Sequence, residues 1–444
     1  MRARSLRVGL IAAACAIGLS ACGTGGWFGE EEDPPLPGER VSVLELEGRV
    51  EPDPQVSTRP VTVPPARSVA DWPQAGGQPS HVNGNLALDL PLSRVWQSDI
   101  GTGESSNRRL TSPPVVAGGT LYAMDASGHV TAIDADNGRR RWRVRAATPD
   151  EDSVPLGGGV AVAEGLVYAS TGFGEVMALD PANGGLVWRT EVSAPLRAPP
   201  TVAQGRVFAV TVDNQTEALD AANGQPLWTH SGLLETAGLL GGAAPAAGPG
   251  IVVTPYTSGE IYALRQESGR PTWSDSLAAI RRVGVLAALA DIRGMPALDD
   301  QLVVAISHSG RMVAIDLRSG ARVWEQDLAG IEMPWIAGDF VYVVTTSAEL
   351  VALTRQEGAI RWVTPLPRWE DPEERAGAIV WQGPVMAGGQ LVVASSTGDG
   401  LVVDPSSGEV AGRFDIPGPA VTAPIVAGGT LYVLDASGTV TAYR

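Results

Sequence analysis

The sequence contains no lysine, only two cysteines and only four histidines among its 444 residues. All 32 basic residues are Arg, and 49 acidic residues give a formal net charge of −17. A chain this acidic, in which no segment is strongly basic, is poorly suited to non-specific nucleic-acid binding. The histidines, His81, His129, His230 and His308, lack the spacing of metal ligands, so we expect no metal site.

Long helical patterns are absent as well. The chain has 54 Gly and 34 Pro beside an ordinary hydrophobic fraction of 44%. Because Gly and Pro weaken or break helices, this composition excludes a coiled coil or another long-helix protein. It predicts a packed core surrounded by many turns.

The N-terminal residues are typical of an export signal. Three arginines precede an apolar stretch over residues 8–19, which is too short to span a membrane as a stop-transfer helix. The sequence Leu19-Ser20-Ala21-Cys22 then matches the bacterial lipobox. We therefore predict a lipoprotein signal peptide over residues 1–21 and lipidation of Cys22; an ordinary signal peptide with a chance cysteine is the alternative. Cys15 would be removed with the signal, so the mature chain would have no disulfide.

Residues 22–70 have the composition of a tether. They contain the acidic run Glu30–Asp33 and many prolines, with little alternation of polar and apolar residues. Acidic, proline-rich chain tends to stay extended and solvated. We therefore expect residues 22–70 to hold a folded domain, residues 71–444, away from the lipid. A partner-binding strand near Arg40–Leu44 is an alternative. Gly23 after the cysteine, in place of Asp, resembles the signal for an outer-membrane destination.

One pattern, Ala-x-Asp-x3-Gly-x3-Trp, recurs through the rest of the chain with ten residues between Ala and Trp. Two copies carry Arg265 and Thr354 in the Asp position. A seventh copy has Gly412 in the Trp position, but Phe414 follows two residues later and projects from the same strand face. The six full-length copies are Ala132 to Trp142, Ala178 to Trp188, Ala218 to Trp228, Ala263 to Trp273, Ala314 to Trp324 and Ala352 to Trp362.

The period of the repeat predicts the architecture. Successive Trp positions from Trp96 to Trp362 lie 38 to 51 residues apart, the length of a four-stranded propeller blade. The last copy ends at Arg444, before its Trp strand, and Ser93–Trp96 is such a strand without a preceding unit. We therefore predict an all-β, eight-bladed β-propeller with four-stranded antiparallel blades. The N-terminal strand would join the C-terminal blade and close the ring, which removes two exposed edges.

The motif has a structural interpretation that requires no catalysis. The Asp carboxylate can accept backbone N–H groups in a hairpin whose Gly adopts positive φ. The Trp can then lie over the turn of the next blade and bury on the order of 200 Å² of ring. Asp134–Gly138 has the composition of a calcium loop but lacks the distal Glu, which favours a turn. We expect docking by Trp96, Trp142, Trp188, Trp228, Trp273, Trp324, Trp362 and Phe414.

The repeat is similar to the tryptophan-docking repeat of pyrroloquinoline-quinone dehydrogenases. Three features that this family would imply are missing: an adjacent Cys pair, the greater length of those enzymes, and an acidic base with a calcium-binding Glu/Asn pair. We therefore expect no enzyme activity and no cofactor. The alternative is a protein like the PQQ-dependent dehydrogenases, or a periplasmic propeller that binds a quinone or another small ligand in the axial channel.

A lipobox, a tether and eight such blades together resemble the BamB family, lipoproteins of the outer-membrane β-barrel assembly machine. Similar segments include Val95–Gln97, Ile100–Gly103, Leu121–Asp125 and the closing Asp435–Tyr443. The resemblance implies a non-catalytic scaffold, lipid-anchored at the periplasmic face of the outer membrane of a Gram-negative bacterium. It also implies binding to the insertase BamA and support for outer-membrane protein insertion, as a monomer within that complex. The long acidic tether departs from the best-known members.

Loop lengths point to one face of the predicted ring as the binding face. The connections between blades open on the same face as the turns between the two middle strands, opposite the Asp-x3-Gly turns. Loops on this face carry Ala194–Arg197, the pairs Leu233-Leu234 and Leu239-Leu240, and the segment Ala279–Asp291. Apolar residues with Arg are typical of the centre of a protein interface.

The resemblance to the BamB family also implies contact residues. Leu196 and Arg197 lie where that family has a partner-binding Leu-Arg pair, and Asp291 lies where it has the first of two acids. Arg293 occupies the position of the second acid. Alternatively, the leucines could fill the mouth of the ring. The predicted partner-binding set is Leu196, Arg197, Leu239, Leu240, Asp291 and Arg293.

Overall fold

The computed structural model describes residues 50–146, 157–278 and 289–444. The predicted signal peptide, Cys22 and the first part of the predicted tether lie outside the described residues, as do residues 279–288 of one long loop. The described chain is built from β-strands and their connections. Within these ranges there is no helix with the length and apolar character needed to cross a membrane.

Eight four-stranded antiparallel sheets form the blades of a β-propeller, so the predicted fold is confirmed. A short hairpin, β26 (Trp369–Asp371) with β27 (Ala376–Ala378), lies between blades 6 and 7. From inner to outer strand, the blades are blade 1, β2 (Val115–Ala117), β3 (Thr120–Met124), β4 (His129–Asp134) and β5 (Arg140–Arg145); blade 2, β6 (Gly158–Ala163), β7 (Leu166–Thr171), β8 (Glu175–Leu179) and β9 (Leu186–Glu191); blade 3, β10 (Thr201–Ala203), β11 (Arg206–Val210), β12 (Gln215–Asp220) and β13 (Pro226–Ser231); blade 4, β14 (Ala246–Gly248), β15 (Ile251–Pro255), β16 (Glu260–Arg265) and β17 (Pro271–Ser276); blade 5, β18 (Ala297–Leu298), β19 (Leu302–Ile306), β20 (Met312–Asp316) and β21 (Arg322–Gln326); blade 6, β22 (Trp335–Ala337), β23 (Phe340–Val344), β24 (Glu349–Thr354) and β25 (Ile360–Pro365); blade 7, β28 (Trp381–Ala387), β29 (Gln390–Ser395), β30 (Asp399–Val403) and β31 (Val410–Asp415); and blade 8, β32 (Ile425–Ala427), β33 (Thr430–Leu434), β34 (Thr439–Tyr443) and β1 (Arg94–Asp99).

Blade 8 contains both ends of the propeller sequence, as predicted. Its outer strand β1 pairs antiparallel with β34, and Trp96 lies opposite Ala442. Ser93 and Arg444 exchange two backbone hydrogen bonds of 2.7 and 2.9 Å. The pairing closes the ring and leaves β34 without a free edge.

Burial follows the position of each strand in its blade. The second strand of blade 1, β3, is buried at every residue because neighbouring blades cover both of its faces. In the outer strand β9, by contrast, Trp188 is buried between exposed neighbours. This period-two alternation places each Trp of the repeat on the face that meets the next blade.

The seven tryptophans contact the next blade in one way. Each indole Nε1 donates to the carbonyl of the residue after the Asp position, at 2.8–3.2 Å. The ring lies on the motif's Gly, whose φ is between +67° and +76° and where an added Cβ would lie 2.5–2.9 Å from the nearest indole atom. Gly is therefore required for both the turn and the contact. The donor and acceptor residues are Trp96 and Ala135, Trp142 and Pro181, Trp188 and Ala221, Trp228 and Gln266, Trp273 and Leu317, Trp324 and Arg355, and Trp362 and Pro405.

The junction between blades 7 and 8 explains the missing tryptophan of the seventh repeat. Blade 8 has no turn after β34, because its outer strand comes from the N-terminal side of the sequence. A Trp in place of Gly412 would have no such turn to contact. Phe414 instead packs edge-on against Tyr443, with ring centroids 5.3 Å apart.

Residues 50–70 lie against the propeller, so the predicted tether boundary at residue 70 is wrong for this stretch. Val56 is buried, and Asp53 donates a backbone hydrogen bond of 2.8 Å to Ile360 on the outer edge of blade 6. Arg59 forms an ion pair of 3.1 Å with Glu357. The composition alone did not reveal this contact, because an extended segment can still bond to the unpaired edge of an outer strand.

Residues 69–86, which we call the axial segment, run around the ring axis and bond to every blade. The contacts lie at the ends of the inner strands that lead into the first hairpin of each blade. The segment therefore covers one end of the axial channel. The contacts are Val69 with Gly428, Trp72 with Val116, Pro73 with Val162, Gln74 with Val202, Pro79 with Ala247, Ser80 with Leu298, Gly84 with the Trp335 indole and Leu86 with Met386.

Candidate functional site

The connection between β13 and β14, residues 232–245, carries the most exposed large apolar side chains of the described chain. We call it the leucine loop. Leu234 is 71% exposed, Leu233 65% and Leu240 51%. The loop lies on the face opposite the Asp-x3-Gly turns, which is the face that the sequence predicts as the binding face.

A buried ion pair lies beneath this loop. Arg197 is 4% exposed and Asp291 fully buried. One guanidinium nitrogen of Arg197 donates to both carboxylate oxygens of Asp291 at 2.9 Å. The pair brings together two inter-blade loops that are distant in sequence. Burial of two charges is tolerated because each also has hydrogen-bond partners.

Three charged side chains hold three consecutive backbone groups of the leucine loop. Asp291 accepts the N–H of Leu239 at 2.8 Å. Arg293 Nε donates to the Leu240 carbonyl at 3.0 Å, and Arg197 donates twice to the Gly241 carbonyl at 3.2 and 3.1 Å. The backbone of residues 239–241 is therefore fixed from below, and the leucine side chains remain at the surface.

Part of the predicted partner-binding set is buried. Leu196 is fully buried and its backbone N–H bonds to Thr171 at 3.2 Å. Leu196, Arg197 and Asp291 present little surface to a partner in this structure, and their direct contact with a partner stays a prediction. The sequence did not show the burial of Arg197 and Asp291, because their contact joins residues 94 apart. Residues 279–286, also predicted on this face, lie outside the described ranges.

The other predicted residues lie together on the loop face. Leu240 is exposed and Leu239 half-buried. Arg293 replaces the expected acid, and it holds the loop by donating a hydrogen bond to the Leu240 carbonyl. The glycines of the leucine loop are the sequence feature that indicates this anchoring, because they leave room for a side chain to reach the backbone. A Cβ at Gly242 would lie 2.5 Å from Arg197 Nε, so only Gly allows the guanidinium to approach.

The axial channel is open toward the loop face and closed by the axial segment at the other end. It contains a cavity whose lining includes Trp72, Arg293, Glu332, Trp335 and Gln382. The rings of Trp72 and Trp335 are stacked, with centroids 6.3 Å apart. The Trp72 indole N–H and the Thr422 hydroxyl are buried there without a hydrogen-bond partner among the described residues.

Glu332 is a buried ionisable group that lines this cavity. Its side chain is buried, which raises its pKa to about 7, while the nearby Arg293 opposes the shift. Glu332 accepts the backbone N–H of Gly383 at 3.1 Å and lies 3.7 Å from the Arg293 guanidinium. Among the described residues, no group of three or more His, Cys, Asp and Glu side chains is arranged to hold a metal ion.

Comparison with known proteins gives the family. The sequence profile described as "Outer membrane protein assembly factor BamB" matches residues 83–143, 126–364 and 367–444. The BamB of Salmonella typhimurium is 30% identical over 354 residues, which cover 78% of this chain and 87% of that protein. The BamB of Alkalilimnicola ehrlichii is 37% identical over 352 residues, covering 79% of this chain and 88% of that protein.

The chain belongs to the BamB family. Solved structures agree with this in fold. BamB from Moraxella catarrhalis aligns with a TM-score of 0.68 at 22% identity, covering 80% of this chain and all of that one. A europium-containing methanol dehydrogenase aligns with a TM-score of 0.66 at 14% identity, covering 85% and 90%. At these identities both likenesses show the propeller fold alone. The BamB relatives are named as outer-membrane protein assembly factors and not as enzymes.

Proposed function

We propose that this BamB family member is a non-catalytic scaffold that binds a BamA-type insertase through the leucine loop. The observation that supports the proposal is the exposure of Leu233, Leu234 and Leu240 in one loop. This loop is held in place by the buried Arg197–Asp291 pair. In this role the scaffold supports insertion of outer-membrane proteins and performs no chemistry of its own.

The energetics of association favour such a loop. Leucines that are more than half exposed gain free energy when a partner removes them from water. The backbone of the loop is already held at residues 239–241. It is also held at Leu233, whose N–H donates to Glu260 at 2.7 Å and whose carbonyl accepts from Asn214 at 2.7 Å. A partner therefore orders little additional chain on binding, and less conformational entropy is lost. Leu196, Arg197 and Asp291 would act indirectly, by fixing the loop.

We also propose that Cys22 carries a lipid that anchors the chain at the periplasmic face of the outer membrane. The lipobox and Gly23 support this location. The acidic, proline-rich residues 23–49 would connect the lipid to the propeller, whose packed chain includes Val50 onward.

The direct test is the affinity of the purified, detergent-solubilised insertase for the doubly substituted Leu233→Ala/Leu234→Ala variant. Interface leucines in a central position contribute about 1–2 kcal/mol each, so the double substitution should lower the affinity by about thirty- to a thousandfold. Both side chains are exposed, so the urea midpoint should stay unchanged. Surface plasmon resonance with the full lipoprotein measures the affinity.

Leu186→Ala is the matched control. Leu186 is 55% exposed on the outer strand β9, away from the leucine loop. This variant should bind like the unmodified protein. Equal affinities of all three proteins would contradict the proposed binding surface.

A further inference from the structure

Arg293 links the leucine loop to the buried carboxyl group of Glu332. Its Nε holds the Leu240 carbonyl at 3.0 Å, and its Nη1 lies 3.7 Å from Glu332 Oε1. The side chain of Arg293 is 22% exposed and that of Glu332 only 8%. Glu332 lines both the axial cavity and a second cavity that is also lined by Leu239 and Leu240. A single side chain, that of Arg293, therefore connects the Glu332 carboxyl group to the proposed binding surface.

Among the residues that the structure describes, few other charges face Glu332. The ionisable side chains that line the two cavities with it are Arg293 from the connection between β17 and β18, His308 from the middle turn of blade 5 and Arg368 from the connection before β26. The axial segment contributes Trp72 and Ala75 to the lining, and the connection into β32 contributes Thr422, none of which is charged. Arg293 is thus the partner whose position depends most directly on the charge of Glu332.

We propose that the protonation of Glu332 sets how firmly Arg293 holds the leucine loop, and that partner binding through this loop is therefore pH-dependent. The second half of the inference rests on the proposed function. The first half concerns the protein alone and can be tested without a partner.

The direction of the effect follows from the burial of Glu332. Its pKa is raised to about 7, so at pH 8 the group is a carboxylate that attracts Arg293, and the loop keeps all three of its backbone anchors. At pH 6 the group is neutral. Arg293 then loses its charged partner, and the anchor on Leu240 weakens.

Global stability should change in the opposite sense. Glu332 holds its proton more tightly in the folded chain than in the unfolded chain, whose ordinary value is 4.5. Between pH 4.5 and 7 the folded state therefore binds more protons, and this group makes the free energy of unfolding fall as the pH rises. Local order of the loop rises over the same range. A general loosening of the protein would not produce these two opposite trends.

Hydrogen exchange measures the loop directly. We expect the protection factors of the amides of residues 239–242, each corrected for the intrinsic rate at that pH, to be about three- to tenfold lower at pH 6 than at pH 8. The transition should have a midpoint near pH 7. In Glu332→Gln, which keeps the size of the side chain and an acceptor for the Gly383 N–H, protection should be independent of pH.

Two further variants separate the groups involved. His308→Gln should keep the midpoint, because this variant leaves both Glu332 and Arg293 in place. Arg293→Gln should abolish the midpoint and leave the loop weakly protected at both pH values. A pH-independent loop in the unmodified protein, or a midpoint that persists in Glu332→Gln, would overturn the inference.

Insertase affinity measured at pH 6 and pH 8 then separates the two proposals. Weaker binding at pH 6 in the unmodified protein, with no such difference in Glu332→Gln, supports both. No insertase binding at either pH, together with an intact exchange midpoint, contradicts the proposed function but supports control of the loop by Glu332.

Discussion

Replacement of Arg197 by Ala is expected to lower the free energy of unfolding by about 3–5 kcal/mol, because it leaves the fully buried Asp291 carboxylate without its cation. The variant should also bind the insertase weakly at temperatures where it remains folded. The Gly241 carbonyl loses both of its bonds to the guanidinium, so the leucine loop is no longer fixed. Urea denaturation and the binding assay measure the two effects.

A double variant separates charge from packing. In Arg197→Met/Asp291→Leu no unpaired charge is buried, so most of the lost stability should return. The bonds to Leu239 and Gly241 remain absent, so insertase binding should stay weak. An Arg197→Ala protein with unchanged urea midpoint and unchanged binding would show that the pair neither supports the fold nor positions the loop.

Replacement of Trp188 by Ala should be the most damaging change at a junction between blades. The indole packs on Gly224 and donates to the Ala221 carbonyl at 3.0 Å. It also packs against the ring of Tyr168, with ring centroids 6.0 Å apart. Removing a buried Trp costs about 3–5 kcal/mol. The urea midpoint should fall correspondingly.

Two matched variants define what the indole contributes. Trp188→Phe keeps an aromatic ring and removes only the donor, and the Ala221 carbonyl still accepts from the Tyr168 hydroxyl at 3.1 Å. Its cost should be about 1 kcal/mol. Trp369→Ala removes a half-buried indole outside the repeat and should change stability less than Trp188→Ala. Equal losses for Trp188 and Trp369 would contradict the special role of the phased tryptophans.

The fold was predictable because its unit is local. The motif fixes a turn, a Gly with positive φ and an aromatic ring within eleven residues, and each copy then contacts only the next blade. Closure was predictable for the same reason, since Ser93–Trp96 and the end of the last repeat are complementary halves of one such unit.

The axial segment shows what the sequence could not reveal. Residues 69–86 have no periodic pattern, and their partners are strands of eight different blades. Six of the eight contacts join backbone to backbone, so no side-chain pattern marks them in the sequence. The same reason explains why the docking of residues 50–70 on blade 6 was taken for free tether.

The candidate site was predictable only in its location. Alternation and loop length placed the leucines on one face, which is where they lie. The burial of Leu196 and Arg197, in contrast, depends on how residue 291 approaches from another blade. The chain order of an Arg and an Asp does not show whether they face a partner or each other.

The most direct measurement is site-specific photo-crosslinking in intact cell envelopes, with a photoreactive residue at position 234 or position 186 of the full-length protein. Both positions are exposed leucines, but only Leu234 belongs to the leucine loop. We predict an adduct with the insertase from position 234 and none from position 186. An adduct from position 186 alone would contradict the assignment of the leucine loop as the binding surface.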